Sequence, residues 1–482
     1  MIMTKRAHLI GICGAGMSAV ARLLQQTGYE VTGSDSGIYP PVSTYLTQLG
    51  LHPIEGHRAD NLPSDPDLIV IGKHATLVPE TNEEVRAAFS YYADRVRSFP
   101  QVLAQLTEDR RRTVVAGSYG KSSLSTLITH ALLFAERDPG WFIGAIPRGL
   151  SHSSHIGGTG PFIFEGDEYP SANFDDRSKF LHYQPHTVVL TSATHDHVNV
   201  FPTLADYHRP FGALLQDLAT REGCFVACTD ERHAARFFDD YDGTKVSYGL
   251  VEGADFTARA IKPGDPLEGT PTRFDLLARG ELIAGMQTLE LGRHAVQNIC
   301  GAAAYLLGEK QMSPALFREA VGAFQGLTRR LDRKAENGPY LIYEGFGSSL
   351  EKARSAIEAA RLHFPDRRLV VLFEPHTFTW RNKKALDQYD RAFDGVDQVY
   401  VAAPPETAAG SHDQASLDEI VERIRANNET VTPLPDPAAI VDILPTLSPS
   451  KDFLLILSSG SFGGHLPPLL DRAEAAGTAA SS

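Results

Sequence analysis

Cysteine is scarce: Cys13, Cys224, Cys228 and Cys300 are the only four in 482 residues. That excludes a disulfide framework. Cys224 and Cys228 have no second pair at zinc-finger spacing, so they read as core thiols. Long apolar runs are missing too, and none reaches the ~20 residues of a membrane-spanning helix. The opening "MIMTKRAHLIGICGAG" runs directly into a strand-and-turn pattern, without the apolar segment and cleavage site of a secretory leader. Basic residues are outnumbered, 45 Lys and Arg against 59 Asp and Glu, for a formal net charge of −14. A sequence-independent nucleic-acid binder needs a basic surface, so that class is excluded. A nucleotide ligand needs only a local positive site and stays open. The expectation is a cytoplasmic enzyme with no nucleic-acid and no membrane partner.

A hydrophobic share of 42% supplies large cores, and the length suggests roughly three domains. Short apolar runs bounded by turn residues alternate with helical stretches: "AHLIGI", "DLIVIG", "RTVVAG", "PFIFEG", "HTVVLT", "RLVVLF", "QVYVAA" and "FLLILS". This alternation predicts an α/β protein with parallel sheets covered by helices. No repeat of solenoid period occurs, and the small, polar tail "AEAAGTAASS" is expected to fray. Breaks near "SFPQVLAQLTEDRRRT" and "FQGLTRRLDRKAENG" divide the chain into about 1–107, 108–327 and 328–482.

The stretch "VVAGSYGKSS", residues 114–123, joins a strand over Thr113 to Ala116 to a helix over Ser123 to Phe134. Unpaired amide groups at such a helix start favour an anion. Lys121 adds a charge for terminal phosphates, and the Ser122 hydroxyl is a Mg²⁺ ligand in loops of this kind. The strict phosphate-loop pattern has Gly where this chain has Val115. The stretch therefore reads either as a phosphate loop or as a strand-to-helix turn with a solvated lysine.

In the first segment, Gly11, Gly14 and Gly16 follow a strand and open a helix, and Asp35 ends the next strand. That is the logic of a dinucleotide fold, with pyrophosphate at the helix start and ribose hydroxyls on the acid. The spacing G-x-x-G-x-G differs from the usual fingerprint. A nucleotide sugar, another diphosphate, or merely structural glycines fit equally. In the second segment, "FIFEGDEY" sets Glu165, Asp167 and Glu168 at a strand end, and "TSATHDHVN" sets His195, Asp196 and His197 after another. Parallel strands all end on one edge, so Lys121, Ser122, Glu165 and His197 are expected to converge. Ser122 and Glu165 suit Mg²⁺, which prefers oxygen ligands. His197 is a less typical ligand, and Asp196 is a candidate to orient it.

In this order the motifs resemble the Mur ligase family, the ATP-dependent amide-bond formers of peptidoglycan synthesis. "GSYGKSS" is similar to the family's G-T-x-G-K-T-[TS], which accounts for the missing glycine. "EGDEY" is similar to E-A-D-E-[SY], "HDHVN" to D-H-x-D, "GRHAVQN" to G-x-H-N-x-x-N, and "GLTRRLD" to the Arg-bearing hinge. The resemblance spans nearly the whole chain. It implies three domains: a Rossmann-like UDP-sugar-binding domain (1–107), a central P-loop-type ATP-binding ligase domain (108–327), and a Rossmann-like domain for the amine substrate and closure on ATP (328–482). "HLIGICGAGMSAVARLL" with "VTGSD" resembles the branch that uses UDP-N-acetylmuramate. "DEYPSANFDDRSKFLHYQP" and "ILSSGSFGGHLPPLL" resemble members that attach a recycled tripeptide, L-Ala-γ-D-Glu-meso-diaminopimelate. The helix "LADYHRPFGALLQDL" lacks the lysine that other branches carbamylate, as the muramate-using branch does.

The site residues implied by the resemblance follow. ATP would lie on Gly117, Ser118, Tyr119, Gly120, Lys121, Ser122 and Ser123, with His294 and Asn298 near adenine. Arg330, or in second place Arg329, would reach the γ-phosphate. Mg²⁺ would be held by Ser122 and Glu165, and a second ion by Glu165 with His197. The catalytic set is Lys121, Glu165, His197 and Arg330. UDP would be lined by Gly14, Ala15, Gly16, Met17, Ser34 and Asp35, with His74 and Thr76 near the uracil or sugar. The reaction implied is phosphorylation of the muramate carboxylate, then attack by a peptide amine.

The departures are equally specific. The family's D-D-[FY]-A-H-H-P aligns with "EGFGSSL", which puts Gly345 at its second acid and Ser348 and Ser349 at its histidines. Ala295 replaces the Asn of G-x-H-N, Ser192 and Thr194 stand in the segment before Asp196, and Pro170 follows the D-E-Y triad. Three other readings stay open. One is a single alanine or another acceptor as amine. Another is a non-catalytic binder of UDP-muramyl ligands. The third is an NAD-dependent dehydrogenase, which would leave "GSYGKSS" and "EGDEY" without a role.

Overall fold

The computed structural model describes residues 4–144, 148–150, 152–327, 330–405 and 413–479. The first sheet has five parallel strands in the order Ile54–Glu55, Tyr29–Asp35, Lys5–Ile10, Leu68–Ile71 and Val96–Ser98. Leu68–Ile71 is buried at every position, as a strand covered on both faces must be. Strand order reverses beside Lys5–Ile10, which makes the crevice beyond its end a topological switch point. The helix Ala15–Gln26 starts in that crevice. Its cap, Gly14, offers no side-chain acceptor, so its first amides are left for another partner.

The central sheet has ten strands, with Lys245–Gly249, Cys224–Cys228, Thr187–Leu190, Arg112–Ala116, Phe162–Glu165 and Gly140–Phe142 running parallel through its middle. The expected runs all fall on strands. An antiparallel arm, Phe256–Lys262, Thr272–Ala278 and Glu281–Thr288, extends the sheet beyond the parallel expectation. Its tight turn is built by Arg279 and Gly280, both at positive φ, the backbone that suits a two-residue hairpin. The third sheet runs Arg330–Lys334, Ile342–Gly345, Asp452–Leu457, Arg368–Phe373, Gln398–Ala402 and Val431–Leu434, parallel except for the first pair.

Packing joins these bodies. Leu9, Val20, Leu24 and Phe99 share one core with Val114, Phe162, Phe164 and Leu190. On its rim the Arg22 guanidinium donates to the Ser154 carbonyl at 2.6 Å, and the Ser154 hydroxyl donates to the Ala19 carbonyl at 2.9 Å. The third body docks through the helix Leu350–His363. His363 Nε2 accepts from the Gly292 amide at 3.0 Å, which leaves Nδ1 to donate to the Gly264 carbonyl, also at 3.0 Å. Burial pushes the His363 pKa down, in keeping with this neutral tautomer. Among the described residues, no helix is long and apolar enough to cross a membrane.

Beneath the switch point lies a buried acid. Glu84 has no solvent exposure, and it accepts from His8 Nε2 at 2.8 Å, from the Ser34 hydroxyl at 2.6 Å and from His57 Nδ1 at 3.0 Å. Burial alone would raise its pKa, but the bonds from His8, Ser34 and His57 more than reverse this and lower it. Its stabilisation is therefore complete above the ordinary Glu value of about 4.3 and is lost as pH falls through the lower folded value. Glu84→Ala strands these partners and is expected to cost about 3–5 kcal/mol. Urea unfolding checks this: the midpoint should fall, and the acid limb of the stability–pH profile should flatten.

Candidate active site

The buried strand Arg112–Ala116 delivers the chain to Gly117, at φ +141°. A Cβ there would collide with the Thr191 hydroxyl and stand 2.8–2.9 Å from the Ser192 backbone, so only glycine fits. Gly120, at φ +83°, caps the helix Lys121–Phe134 without a side-chain bond. Its left-handed turn lets the helix begin at Lys121 rather than at Ser123, placing Lys121 and Ser122 in the first turn. Ser192 ties the loop down: its carbonyl accepts from the Ser118 amide at 3.3 Å and its hydroxyl oxygen from the Tyr119 amide at 3.0 Å.

The neighbouring strand ends supply acids. The Ser122 hydroxyl donates to Glu165 Oε1 at 2.8 Å, while Glu165 Oε2 accepts from the Gly144 amide at 2.8 Å. The Lys121 ammonium donates to the Gly117 carbonyl and lies 3.3 Å from Glu168. Burial lowers the Lys121 pKa, but Glu168, with Asp167, Glu165 and Asp196, outweighs it and raises the value, so the ammonium stays charged. Glu168 is fully buried, and the Tyr207 hydroxyl donates to it at 3.0 Å. Burial pushes the Asp167 pKa up, and Lys179 at 2.6 Å more than reverses the effect.

His197 sits at φ +55°, a conformation that costs a non-glycine residue energy and clusters at functional sites. Its Nδ1 lies 2.9 Å from the Tyr169 hydroxyl, and its Nε2 lies 3.5 Å from Glu168 and 3.8 Å from Asp196. Glu165 and His197 line the same cavity, but both ring nitrogens of His197 face these other partners. Among the described residues, no three His, Cys, Asp or Glu side chains converge as a metal cluster. His195 turns away, its Nε2 meeting the Phe201 carbonyl at 2.7 Å.

The cavity holding these groups measures about 1660 Å³ and draws on all three bodies. Ala15 and Gly16 enter from the first, Lys121, His294 and Asn298 from the second, and Arg330 and Lys352 from the third. The His294 pKa is pushed down to about 4 by burial, then by Arg330 and His363, and its Nδ1 lies 3.0 Å from the Ser355 hydroxyl. The Arg330 guanidinium stacks 4.7 Å from the Phe346 ring centre. Arg329 lies outside the described residues.

In the first body, Gly14 and Asp35 flank the switch point, and Asp35 accepts from the Cys13 and Ser36 amides at 2.8 Å each. Two expected UDP-lining residues face inward instead. Ser34 is fully buried on Glu84, because strand side chains alternate and Asp35 takes the outer face. The Met17 side chain is buried, at 4% exposure, and packs close to Gly72. His74 is exposed beside Thr76, with its Nδ1 2.8 Å from the hydroxyl, and its carbonyl accepts from the Asn173 amide group at 2.7 Å.

Known families match these bodies. Residues 6–111 match the model described as "Mur ligase family, catalytic domain", and residues 115–306 the "Mur ligase middle domain". A UDP-N-acetylmuramate–L-alanine ligase of Chlorobium phaeovibrioides is 30% identical over 403 residues, covering 83% of this chain and 81% of that protein. The chain belongs to the Mur ligase family. It has the family's α/β architecture and is an ATP-dependent amide ligase. The Escherichia coli K12 UDP-N-acetylmuramate–L-alanyl-gamma-D-glutamyl-meso-2,6-diaminoheptandioate ligase is 28% identical over 492 residues, covering 98% of this chain and all of that protein. A murein peptide ligase of Psychrobacter arcticus superposes with a TM-score of 0.66 at 25% identity, covering 98% of this chain and 99% of that one.

The departures of this Mur ligase are structurally absorbed. A Cβ on Gly345 would stand 3.1 Å from the Leu457 side chain and 3.4 Å from Ala356, so the position is tight although it lines the cavity. Ser349 caps the helix Leu350–His363, and the Ser348 hydroxyl accepts from the Lys352 ammonium at 3.0 Å. Pro170 opens the short strand Pro170–Ala172. Two groups escaped sequence reasoning: Glu168 as the partner of Lys121, and Lys352. Motif spacing places Glu168 at the strand end but does not say where it points, and nothing local marks Lys352. Gly117→Ala is expected to displace the loop against Thr191 and Ser192 and to weaken ATP binding about a hundredfold or more, roughly 2.7 kcal/mol. Calorimetric titration with Mg-ATP checks this.

Proposed function

We propose that this chain uses ATP to join the carboxylate of UDP-N-acetylmuramate to the amino group of L-alanyl-γ-D-glutamyl-meso-diaminopimelate, in cytoplasmic recycling of peptidoglycan. The observation that carries this reading is the end-to-end likeness to the Escherichia coli enzyme named for that reaction. The cavity supports it, because one continuous space touches the first body's switch point, the phosphate loop and the third body. The segments 1–107, 108–327 and 328–482 then serve the UDP sugar, ATP and the amine in turn.

In this reading Lys121 leaves Glu168 for the β- and γ-phosphates, and the loop amides from Ser118 to Ser123 cradle them. Arg330 approaches the γ-phosphate from the third body. Neutral His294 lies with Asn298 on the adenine side. Gly14, Ala15 and Gly16 receive the diphosphate of the UDP sugar, with Asp35 and His74 toward its ribose and base. Ser122 and Glu165, two oxygen donors 2.8 Å apart, fit Mg²⁺, which takes few protein ligands and completes its shell with water and phosphate. When bound, the ion would neutralise charge on the transferring phosphoryl group. The protein's own part is to align the muramate carboxylate with the γ-phosphate and keep water away, then to present the amine to the acyl phosphate. Tyr169 and Glu168 hold the His197 ring at the rim of that space.

A second acceptor is favoured by one observation, the 30% identity to an alanine-adding enzyme. Coupled ADP release with Mg-ATP and UDP-N-acetylmuramate decides between them. Release is expected with the tripeptide, and neither L-alanine nor an amine-free mixture should support it. Release with alanine alone would replace the tripeptide reading. UDP-sugar binding with silence toward every amine would favour a non-catalytic binder. Lys121→Ala should lower the tripeptide-dependent rate by at least about a hundredfold.

A further inference from the structure

The ligase reading leaves one charged group without a task. Lys352 lies in the first turn of the helix Leu350–His363, where the helix dipole disfavours a cation. Its ammonium is half-buried and lines the central cavity together with Lys121 and Arg330. It meets the Ser348 hydroxyl at 3.0 Å, and among the described residues no carboxylate stands in ion-pair contact with it. Burial lowers its pKa, Asp196 opposes that shift, and Lys121 and Arg330 lower the pKa further. Helix dipole, desolvation and like charges thus weigh on one side chain, against Asp196 and Glu168. An anion placed among Lys121, Arg330 and Lys352 would offset these costs.

We propose that Lys352 is a phosphate-binding residue of the closed site, contacting the γ-phosphoryl group of ATP from the third body in the place where the family pattern has its two histidines. The proposal rests on the ligase reading for the identity of the anion. Ser348 and Ser349 occupy the two histidine positions and serve Lys352 directly. Ser348 accepts a bond from its ammonium, and Ser349 caps the turn that carries it, with its hydroxyl oxygen 3.5 Å from the Lys352 amide. A lysine on a four-carbon stem reaches further than a histidine and stays charged at neutral pH when an anion is bound. Negative charge spreads over the phosphoryl oxygens during transfer, so a cation aimed there stabilises the transition state more than the ground state.

The test uses the full-length protein with Lys352→Met and Lys352→Arg. Each is titrated calorimetrically with Mg-ATP, AMP and UDP-N-acetylmuramate, and assayed for muramate-dependent ADP release with and without tripeptide. Lys352→Met is expected to bind AMP and UDP-N-acetylmuramate as the parent does. It should bind ATP about tenfold more weakly and lose about a hundredfold in kcat, and Lys352→Arg should recover most of both. Wild-type ATP affinity in Lys352→Met overturns the assignment. So does a defect confined to amine-dependent turnover, which would move Lys352 to the acceptor. If the parent binds ATP yet releases no ADP with any amine, the ligase reading fails, and the comparison of ATP with AMP still decides Lys352. If the parent binds no ATP, both fail.

Discussion

Three neighbouring parallel strands share one register, and the site depends on it. Val115 lies opposite Glu165, and Ala116 lies opposite Leu190. The phosphate loop, the acidic turn and the His197 turn therefore leave the sheet along a single edge. Parallel strands need both faces covered, and the cores containing Val114 and Val115 supply one face each. A slip of one residue in this register would move Glu165 from beside Ser122 to the opposite face. The position of one carboxyl oxygen relative to one hydroxyl is thus fixed by the packing of a whole sheet.

Charge is distributed around that edge with similar economy. Lys121 stands among Glu165, Asp167, Glu168 and Asp196, which keep it protonated despite burial. The opposing cations, Arg330 and Lys352, come from another body. The helix that carries Lys352 is held to the central body by neutral contacts: His363 with Gly292 and Gly264, and Ser355 with His294. Both histidines are held uncharged by burial first. A protonated His294 would add a further positive charge to the cavity and push against Arg330.

How much of this was legible in sequence follows from the range of each interaction. Lys121, Ser122 and Glu165 were legible, because a glycine turn between an apolar strand and a helix leaves the backbone few choices. The strands were legible for the same local reason. Composition points the helix start to Ser123, because the left-handed cap at Gly120 is a backbone state that the sequence pattern does not display. Ser34 was assigned outward because it adjoins Asp35, and only the alternation of the strand in its sheet shows that it points to Glu84. The antiparallel arm hides in weak alternation, its turn marked only by Arg279–Gly280. Lys352 has no motif at all. Its meaning arises from the docking of a helix onto a cavity that Lys121 enters from another body.

The same docking bears on the third body's departures. Gly345, Ser348 and Ser349 belong to that body, while Gly117 to Ser123, Glu165 and Asp196–His197 belong to the central one, as do the departures at Pro170, Ser192, Thr194 and Ala295. Gly345 lines the cavity between Leu457 and Ala356, and a side chain there would have to press the Leu457 side chain aside. The acid next to it, Glu344, is spent on Lys334 at 3.0 Å, and Lys334 also reaches Asp332 at 3.3 Å. Asp332 in turn accepts from Arg148 of the central body at 2.8 Å. Glu344, at the motif's first acid position, thus belongs to a chain of ion pairs that fastens one body to the other. Such a chain positions Arg330, which begins the strand carrying Asp332 and Lys334, without placing negative charge near a phosphate. Binding an anion there calls on cations rather than acids: Arg330, Lys352, Arg354 and Arg361 line the cavity from the third body, and of these Arg354 and Arg361 pair with Asp394 and Asp397.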